Sequence, residues 1–275
     1  MKKLKICLDA GHYGKYNQSP AIPEYYESDM TWKLHLKLKA QLESYGINVI
    51  TTRKTQNENL GLTARGKASK GCDLFLSIHS NAAGSKVNES VDYPIAFVPI
   101  NGSANDIGEQ LAKCVSQIIG TKQKGRAESK KSEKGSWDYY GVINGATAVG
   151  VPGIILEHSF HTNTKVTKWL LEDTNLDMLA KAEAWIIAKY FNIQEPLAKN
   201  NIIELPTLFI DNKNKAVKAL QLLLIGYGYP CGKSGADSKF GNKTYKALIS
   251  YQKDNNLAID GICGNKTWSS LLGIK

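Results

Sequence analysis

His12, Glu27, His79 and Glu157 are the residues of this 275-residue sequence whose types and settings suit metal-assisted hydrolysis. Hydrolytic zinc sites use three protein ligands drawn from His and carboxylates, leave a fourth position for water, and keep a Glu nearby to move protons. His12 ends the turn DAGH after a strand, Glu27 stands directly before a helix, His79 closes the strand LFLSIH, and Glu157 closes the strand GIILE. In parallel α/β sheets ligands gather at the carboxyl ends of strands, so residues far apart in sequence can meet there. Each also fits a plainer role. A His at a strand end is often a hydrogen-bonded structural residue, and a Glu before a helix can simply face the helix dipole. Glu157 is the strongest single signal, because an acid after four apolar strand residues needs a partner, a metal or a function.

The elements that position these residues are short apolar runs at Lys3–Leu8, Asn48–Thr52, Leu74–His79 and Gly153–Glu157, separated by longer segments that read as helices. That alternation predicts an α/β layer with a mixed, mainly parallel sheet flanked by helices. The helices are expected at Asp29–Tyr45, Leu62–Lys70, Ala104–Ile119 and Leu176–Tyr190. In the first of them, MTWKLHLKLKAQL, apolar residues recur at every second position, the strand period. Helix is preferred because Leu, Lys, Ala and Gln favour it and β-branched residues are nearly absent.

Between Gly120 and Trp137, the polar stretch TKQKGRAESKKSEKGS has no periodicity and reads as a surface loop or a substrate-facing flap, the loop being preferred. The first domain spans 1–194, and QEPLAKNNIIELP makes 195–206 the expected linker to a second domain at 207–275. That domain carries an internal echo, GADSKFGNKT at Gly235–Thr244 and DGICGNKT at Asp260–Thr267, each followed by a helix-like segment. Gly241 and Gly264 are expected at positive φ, with Asn-Lys-Thr opening a helix, and the whole reads as a small helical bundle.

Composition bounds the rest. Hydrophobic residues make up 42% and charged residues 22%, so a disordered, collagenous or membrane-embedded chain is excluded. The net charge is +10, shared equally between residues 1–200 and the much shorter 201–275. This draws the protein towards polyanions, though no Lys/Arg run with interleaved aromatics points to nucleic acid. No run approaches the ~18 apolar residues of a membrane span. Lys5 and Asp9 interrupt the N-terminal apolar run, so no signal peptide is read and synthesis in the cytoplasm is expected. Five cysteines without a CxxC pair indicate buried free thiols, with a Cys231–Cys263 meeting as the alternative.

The segments DAGH (Asp9–His12), ESD (Glu27–Asp29), Thr52-Arg53, the L-x-L-x-x-R run Leu60–Arg65, DLFLSIHSNA (Asp73–Ala82) and VPGIILEHSFHTN (Val151–Asn163) come in one order over residues 1–190. Together they resemble the zinc-dependent N-acetylmuramoyl-L-alanine amidases of the amidase-3 type. The resemblance implies Zn²⁺ held by His12, Glu27 and His79, Glu157 as the catalytic carboxylate, and a phosphorylase/hydrolase-like fold. It also implies cleavage of the amide between N-acetylmuramic acid and L-alanine in peptidoglycan, by a phage endolysin or an autolysin acting on the wall after release. Glu24 competes with Glu27, which is preferred because Ser28-Asp29 then opens the helix. Tyr13-Gly14 and His158 depart from the family pattern. For His158 and His161 packing or a surface position is preferred over substrate contact, as it is for His35; Asn81 is a candidate to orient a ligand; and for Arg53 and Arg65 structural salt bridges are preferred over pairing with stem-peptide carboxylates. Residues 207–275 resemble the peptidoglycan-binding domain 1 family, a three-helix module, through Ala216–Leu224, the Gly235–Thr244 turn, Ala247–Gln252 and Asp260–Leu271; Tyr251, Gln252 and Trp268 match its motif as core or contact residues. The partner expected is therefore peptidoglycan, without nucleic acid or membrane insertion. A zinc peptidase cutting the stem peptide and a non-catalytic wall-binding protein are the rival readings.

Overall fold

The computed structural model describes residues 3–194 and 205–274, and the chain divides into two compact units, Met1–Lys199 and Asn200–Lys275. The expected linker lies outside the described residues except for Leu205 and Pro206. The first unit holds a six-stranded sheet of β1 (Lys5–Ala10), β2 (Asn48–Thr51), β3 (Leu74–Asn81), β4 (Ile95–Val98), β5 (Arg126–Ser129) and β6 (Gly153–Phe160). Its order is β2-β1-β3-β6-β4-β5. The first four are mutually parallel, while β4 runs antiparallel to β6 and carries β5 alongside it. The helices are α1 (Glu27–Ser44), α2 (Leu62–Lys67), α3 (Asn105–Ile119), α4 (Gly141–Thr147), α5 (Thr164–Leu171) and α6 (Asp173–Tyr190).

Successive strand residues point to opposite faces, so each strand serves two cores. Ile6, Leu8, Leu74, Leu76 and Leu156 pack with Leu34 and Leu38 of α1, Leu111 of α3 and Leu179 of α6. Cys7, Phe75 and Ile155 turn the other way, onto Val142, Ile143 and Ala146 of α4. The same alternation puts His79 on the face of Phe75 and Glu157 on that of Ile155. The register then sets His79 directly opposite Glu157. The mainly parallel sheet is thus as expected, and the period of two brings two of the four chemical residues side by side.

The structure corrects several elements. Helix α1 begins at Glu27 itself, so this acid sits in the first turn rather than before it. The alternating apolar pattern conceals a buried stripe at Met30, Leu34, Leu38 and Leu42, while Leu36 is left exposed. The stretch expected as a loop contains β5, one of the sheet's two edge strands. β4, α4 and α5 were not anticipated. The cysteines are as expected: all five are free, and Cys231 and Cys263 share the core of the second unit as thiols.

The second unit has the three expected helices, α7 (Lys215–Gly226), α8 (Asn242–Asp254) and α9 (Asn265–Leu271). Its echo is held by two buried glutamines. The Gln221 amide nitrogen donates to Asp237 Oδ1, Lys239 O and Thr244 Oγ1 at 2.9, 3.0 and 3.0 Å. That of Gln252 donates to Asp260 Oδ1, Ile262 O and Thr267 Oγ1 at 2.8, 3.0 and 3.3 Å. Gly241 and Gly264 are extended N-caps rather than positive-φ residues. The left-handed positions are instead Ser238 and Gly261, one residue after each aspartate. Tyr251, Gln252 and Trp268 are buried in this unit.

Candidate active site

β1 ends in a turn that two arginines hold in place. Asp9 is fully buried, accepts from Ser77 Oγ at 2.7 Å and Thr52 Oγ1 at 2.5 Å, and lies 3.5 Å from the Arg65 guanidinium. Arg65 and Arg53 both donate to Ala10 O, at 3.2 and 2.8 Å. Arg65 is therefore in the expected salt bridge. Arg53 is instead a clamp on carbonyls, adding Gln56 O at 2.6 Å. Gly11 follows because the His79 ring occupies the space of a side chain there; a Cβ would stand 2.4 Å from it. His12 then adopts left-handed backbone, φ 58°, and its ring stacks on Tyr16 with centroids 4.9 Å apart.

Three elements converge from there. His12 Nε2 lies 3.1 Å from Glu27 Oε2, and His79 Nδ1 lies 2.8 Å from Glu27 Oε1. One donor atom from each of these residues lies within 4.8 Å of the other two, a set that could hold a metal ion. Glu24 is exposed and outside this set. Glu27 also accepts from Asn17 Nδ2 at 2.6 Å and from the Ser80 N–H at 3.0 Å. Burial would raise its pKa, but the hydrogen bonds and charges of His12 and His79 prevail and hold the carboxyl far below the ordinary range.

Glu157 behaves oppositely. Burial, and then the nearby Glu27 charge, push its carboxyl well above the usual value, and its Oε2 is out of solvent without a hydrogen-bond partner. Two acids and two imidazoles around one cavity make a donor set that suits a divalent cation, and the orphaned oxygen marks where positive charge or a bound water would be accommodated. The cavity has a volume of about 300 Å³ and is lined by His12, Glu27, His79 and Glu157 together with Asn17, Tyr140 and His161, among others.

His161 is nearly buried, stacks on Tyr25 and bonds through Nδ1 to Ser80 Oγ at 2.9 Å. Burial lowers its pKa, against the opposing pull of the Glu27 charge. His158 is fully buried between Glu183 Oε1 and His79 O, each at 2.9 Å, tying β6 to α6 and to the strand end that bears a candidate ligand. His35 lies on the buried side of α1, with Nδ1 donating to Trp32 O one turn back in the same helix. Asn81 does not take the orienting role expected of it. Its Oδ1 accepts from the Ala82 N–H, and Asn17 reaches both Glu27 and, at 3.1 Å, His12 Nε2. Asn17 and Tyr140 escaped sequence reasoning because they sit in aperiodic segments; His12–Glu27 spacing alone gave no cue to them.

Residues 6–189 match the family model described as N-acetylmuramoyl-L-alanine amidase, and residues 213–271 match that of a putative peptidoglycan binding domain. The chain is similar to the N-acetylmuramoyl-L-alanine amidase CwlM of Bacillus licheniformis, 26% identical over 199 residues that cover 71% of this chain and 72% of the relative. Among solved structures it resembles the catalytic domain of CwlV from Bacillus (Paenibacillus) polymyxa var. colistinus, with a TM-score of 0.57 and 21% identity over 70% of this chain and 99% of that one. It also resembles Cwp6 from Clostridium difficile, with a TM-score of 0.58 and 22% identity over 68% of this chain but only 29% of that one. At these identities the structural likeness speaks for the fold, and the family match carries the assignment. The chain belongs to the N-acetylmuramoyl-L-alanine amidase family.

Proposed function

We propose that this amidase hydrolyses the bond between the lactyl group of N-acetylmuramic acid and the first L-alanine of the stem peptide, using Zn²⁺ held by His12, Glu27 and His79 and Glu157 as the proton carrier. The observation that supports it most is the meeting of three donor atoms within 4.8 Å beside an acid whose oxygen has no protein partner. Bound zinc supplies Lewis acidity, polarising the scissile carbonyl and lowering the pKa of a water towards ~7. The chain's own residues do the remainder. Asn17 and the Ser80 N–H fix the Glu27 carboxylate, and Gly11 leaves the His79 ring its place. Glu157, whose burial favours protonation, stays ionised beside a cation held by the three ligands; its unpartnered Oε2 then takes a proton from the attacking water and returns it to the alanine nitrogen as the C–N bond breaks. General acid–base work of this kind is usually worth ~10²–10⁴ in rate. The C-terminal module holds the enzyme on an insoluble polymer and so raises local substrate concentration without new chemistry.

The deciding experiment is digestion of purified peptidoglycan, scoring new amino termini against new reducing sugar. The expected result is L-alanine termini without reducing ends, abolished by chelation and restored by zinc. Termini of another residue would replace the amidase by a stem-peptide peptidase, and undiminished activity after metal removal would overturn the zinc site. Glu157→Gln is expected to retain zinc by metal analysis while kcat falls at least ~10²-fold; full activity would remove Glu157 from this role.

A further inference from the structure

The lysine-rich stretch between β5 and α4 is ordered, and the hydrolytic chemistry above does not use it. The Tyr139 N–H donates to Lys130 O at 2.8 Å, the Ser132 N–H donates to Trp137 O at 2.9 Å, and Lys131 and Asp138 pair antiparallel. Residues 130–139 therefore double back on themselves in a short hairpin that follows β5. Its returning arm carries Trp137, whose side chain is 52% exposed. The indole lies over Gly135, where an added Cβ would come within 1.9 Å of the ring. Asp138 fastens the hairpin to the body of the unit: its Oδ1 accepts from the Ile100 N–H at 2.7 Å, and its main-chain oxygen accepts from Asn144 Nδ2 at 2.5 Å. Lys130 covers the Tyr139 ring, with its ammonium 3.9 Å from the centroid.

A cavity of about 520 Å³ opens beside this indole, walled by Ile100, Asn101, Ser136, Trp137, Asn144 and Thr147, with Asp138 and Ala148 completing it. Tyr140, only three residues beyond Trp137, lines the cavity of His12, Glu27 and His79, as do Gly141 and Val142. Three residues span at most about 11 Å of chain, so one short segment walls both cavities.

We propose that the Trp137 cavity is a carbohydrate subsite taking an uncharged N-acetylhexosamine ring of the glycan strand, adjacent to the muramic acid whose stem is cut; this rests on the amidase reading. A flat, half-exposed indole matches the C–H face of a sugar ring, and uncharged amides and hydroxyls match its hydroxyl and acetamido groups. Among the described residues the lining holds no cation, which the carboxylates of a stem peptide would require. The glycan therefore fits better than the peptide.

The test compares two substrates with the full chain: muramoyl-peptide without further sugars, and peptide-bearing glycan strands several disaccharides long. In Trp137→Ala the ratio of kcat/KM on strands to that on muramoyl-peptide should fall about tenfold, the scale of losing one buried aromatic anchor, through KM rather than kcat. Trp137→Phe, which keeps a flat ring, should recover part of it. In the unsubstituted protein, peptide-free strands should shift the indole N–H resonance that Trp137→Phe removes, and this readout does not depend on the alanine variant folding. An unchanged ratio in an active enzyme, or an unmoved resonance, overturns the subsite alone. An unsubstituted protein that cuts neither substrate overturns the amidase reading and the subsite's role together.

Discussion

The Asn17 amide does the positioning that no sequence signal announced. It bonds to Glu27 and approaches His12, so one side chain braces two of the three candidate ligands. Outer partners of this kind commonly control 10–100-fold in metal affinity. Asn17→Ala is accordingly expected to weaken zinc binding by about that factor, measured by competition with a chromophoric chelator, with the fold unchanged by circular dichroism. A second residue sets an acid limit on stability. Burial, reinforced by the Arg53 charge and opposed by the Trp32 carbonyl, lowers the His35 pKa from 6.5 to about 4. The unfolded chain therefore binds this proton at higher pH than the folded one. Stability should fall as pH drops from about 6.5 to about 4, by ~3 kcal/mol in all at ~1.4 kcal/mol per pH unit. The urea midpoint of His35→Gln should lack this share of the slope, whereas an identical slope would acquit His35. The positions of the four candidate residues were legible because His12, His79 and Glu157 close a turn or a strand and Glu27 opens α1, each with a distinctive neighbourhood. Asn17, Ser80 and Tyr140 were not, because what selects them is distance in space.

Elements differ in how openly they are written. β1, β3 and β6 are largely buried, so they read as apolar runs that periodicity finds, and the half-buried edge strand β2 is found by its Val-Ile pair. β5, Arg-Ala-Glu-Ser, is an edge strand whose charges blunt the sheet margin, and it reads as loop. α4 contains Asn144 and Gly145, poor helix formers, and exists because of packing against α2. There the two backbones come so close that a Cβ on Gly145 would stand 2.2 Å from Thr63 O, and one on Gly66 2.1 Å from Val142 O. Gly145→Ala should therefore cost about 1–3 kcal/mol, seen as a Tm lower by several degrees, and should impair turnover because Tyr140–Val142 form the cavity wall. Gly226→Ala, in α7 with open space around it, is the control expected to be neutral or slightly stabilising. Equal effects of the two would dismiss the close-approach argument. The twin turns of the second unit were visible as repeated letters, but their left-handed residues were misplaced. What holds the turns is a glutamine on the preceding helix, remote from the repeat itself.

Across the whole molecule, each unit closes its own core: Leu208, Leu220, Phe240, Leu248 and Trp268 serve the second, and none of them packs into the clusters of the first. A chain ending at Lys199 should therefore still cut soluble muropeptides at nearly the full rate, while losing about 10- to 100-fold on insoluble walls through lost tethering. Equal losses on both substrates would mean the second unit supports the fold of the first. No described helix is long and apolar enough to cross a membrane. The common direction of β1, β2, β3 and β6 has a practical corollary. The exits of β1, β3 and β6 carry His12, His79 and Glu157, while the bends that lead into β2, β3 and β6 turn in left-handed backbone at Gly46, Gly71 and Gly150, with open space around each. The catalytic unit thus has a business end and a handle. A tag, a bead linkage or a fused partner grafted at any of these three bends would leave the opening over His12 and His79 facing outward and unobstructed.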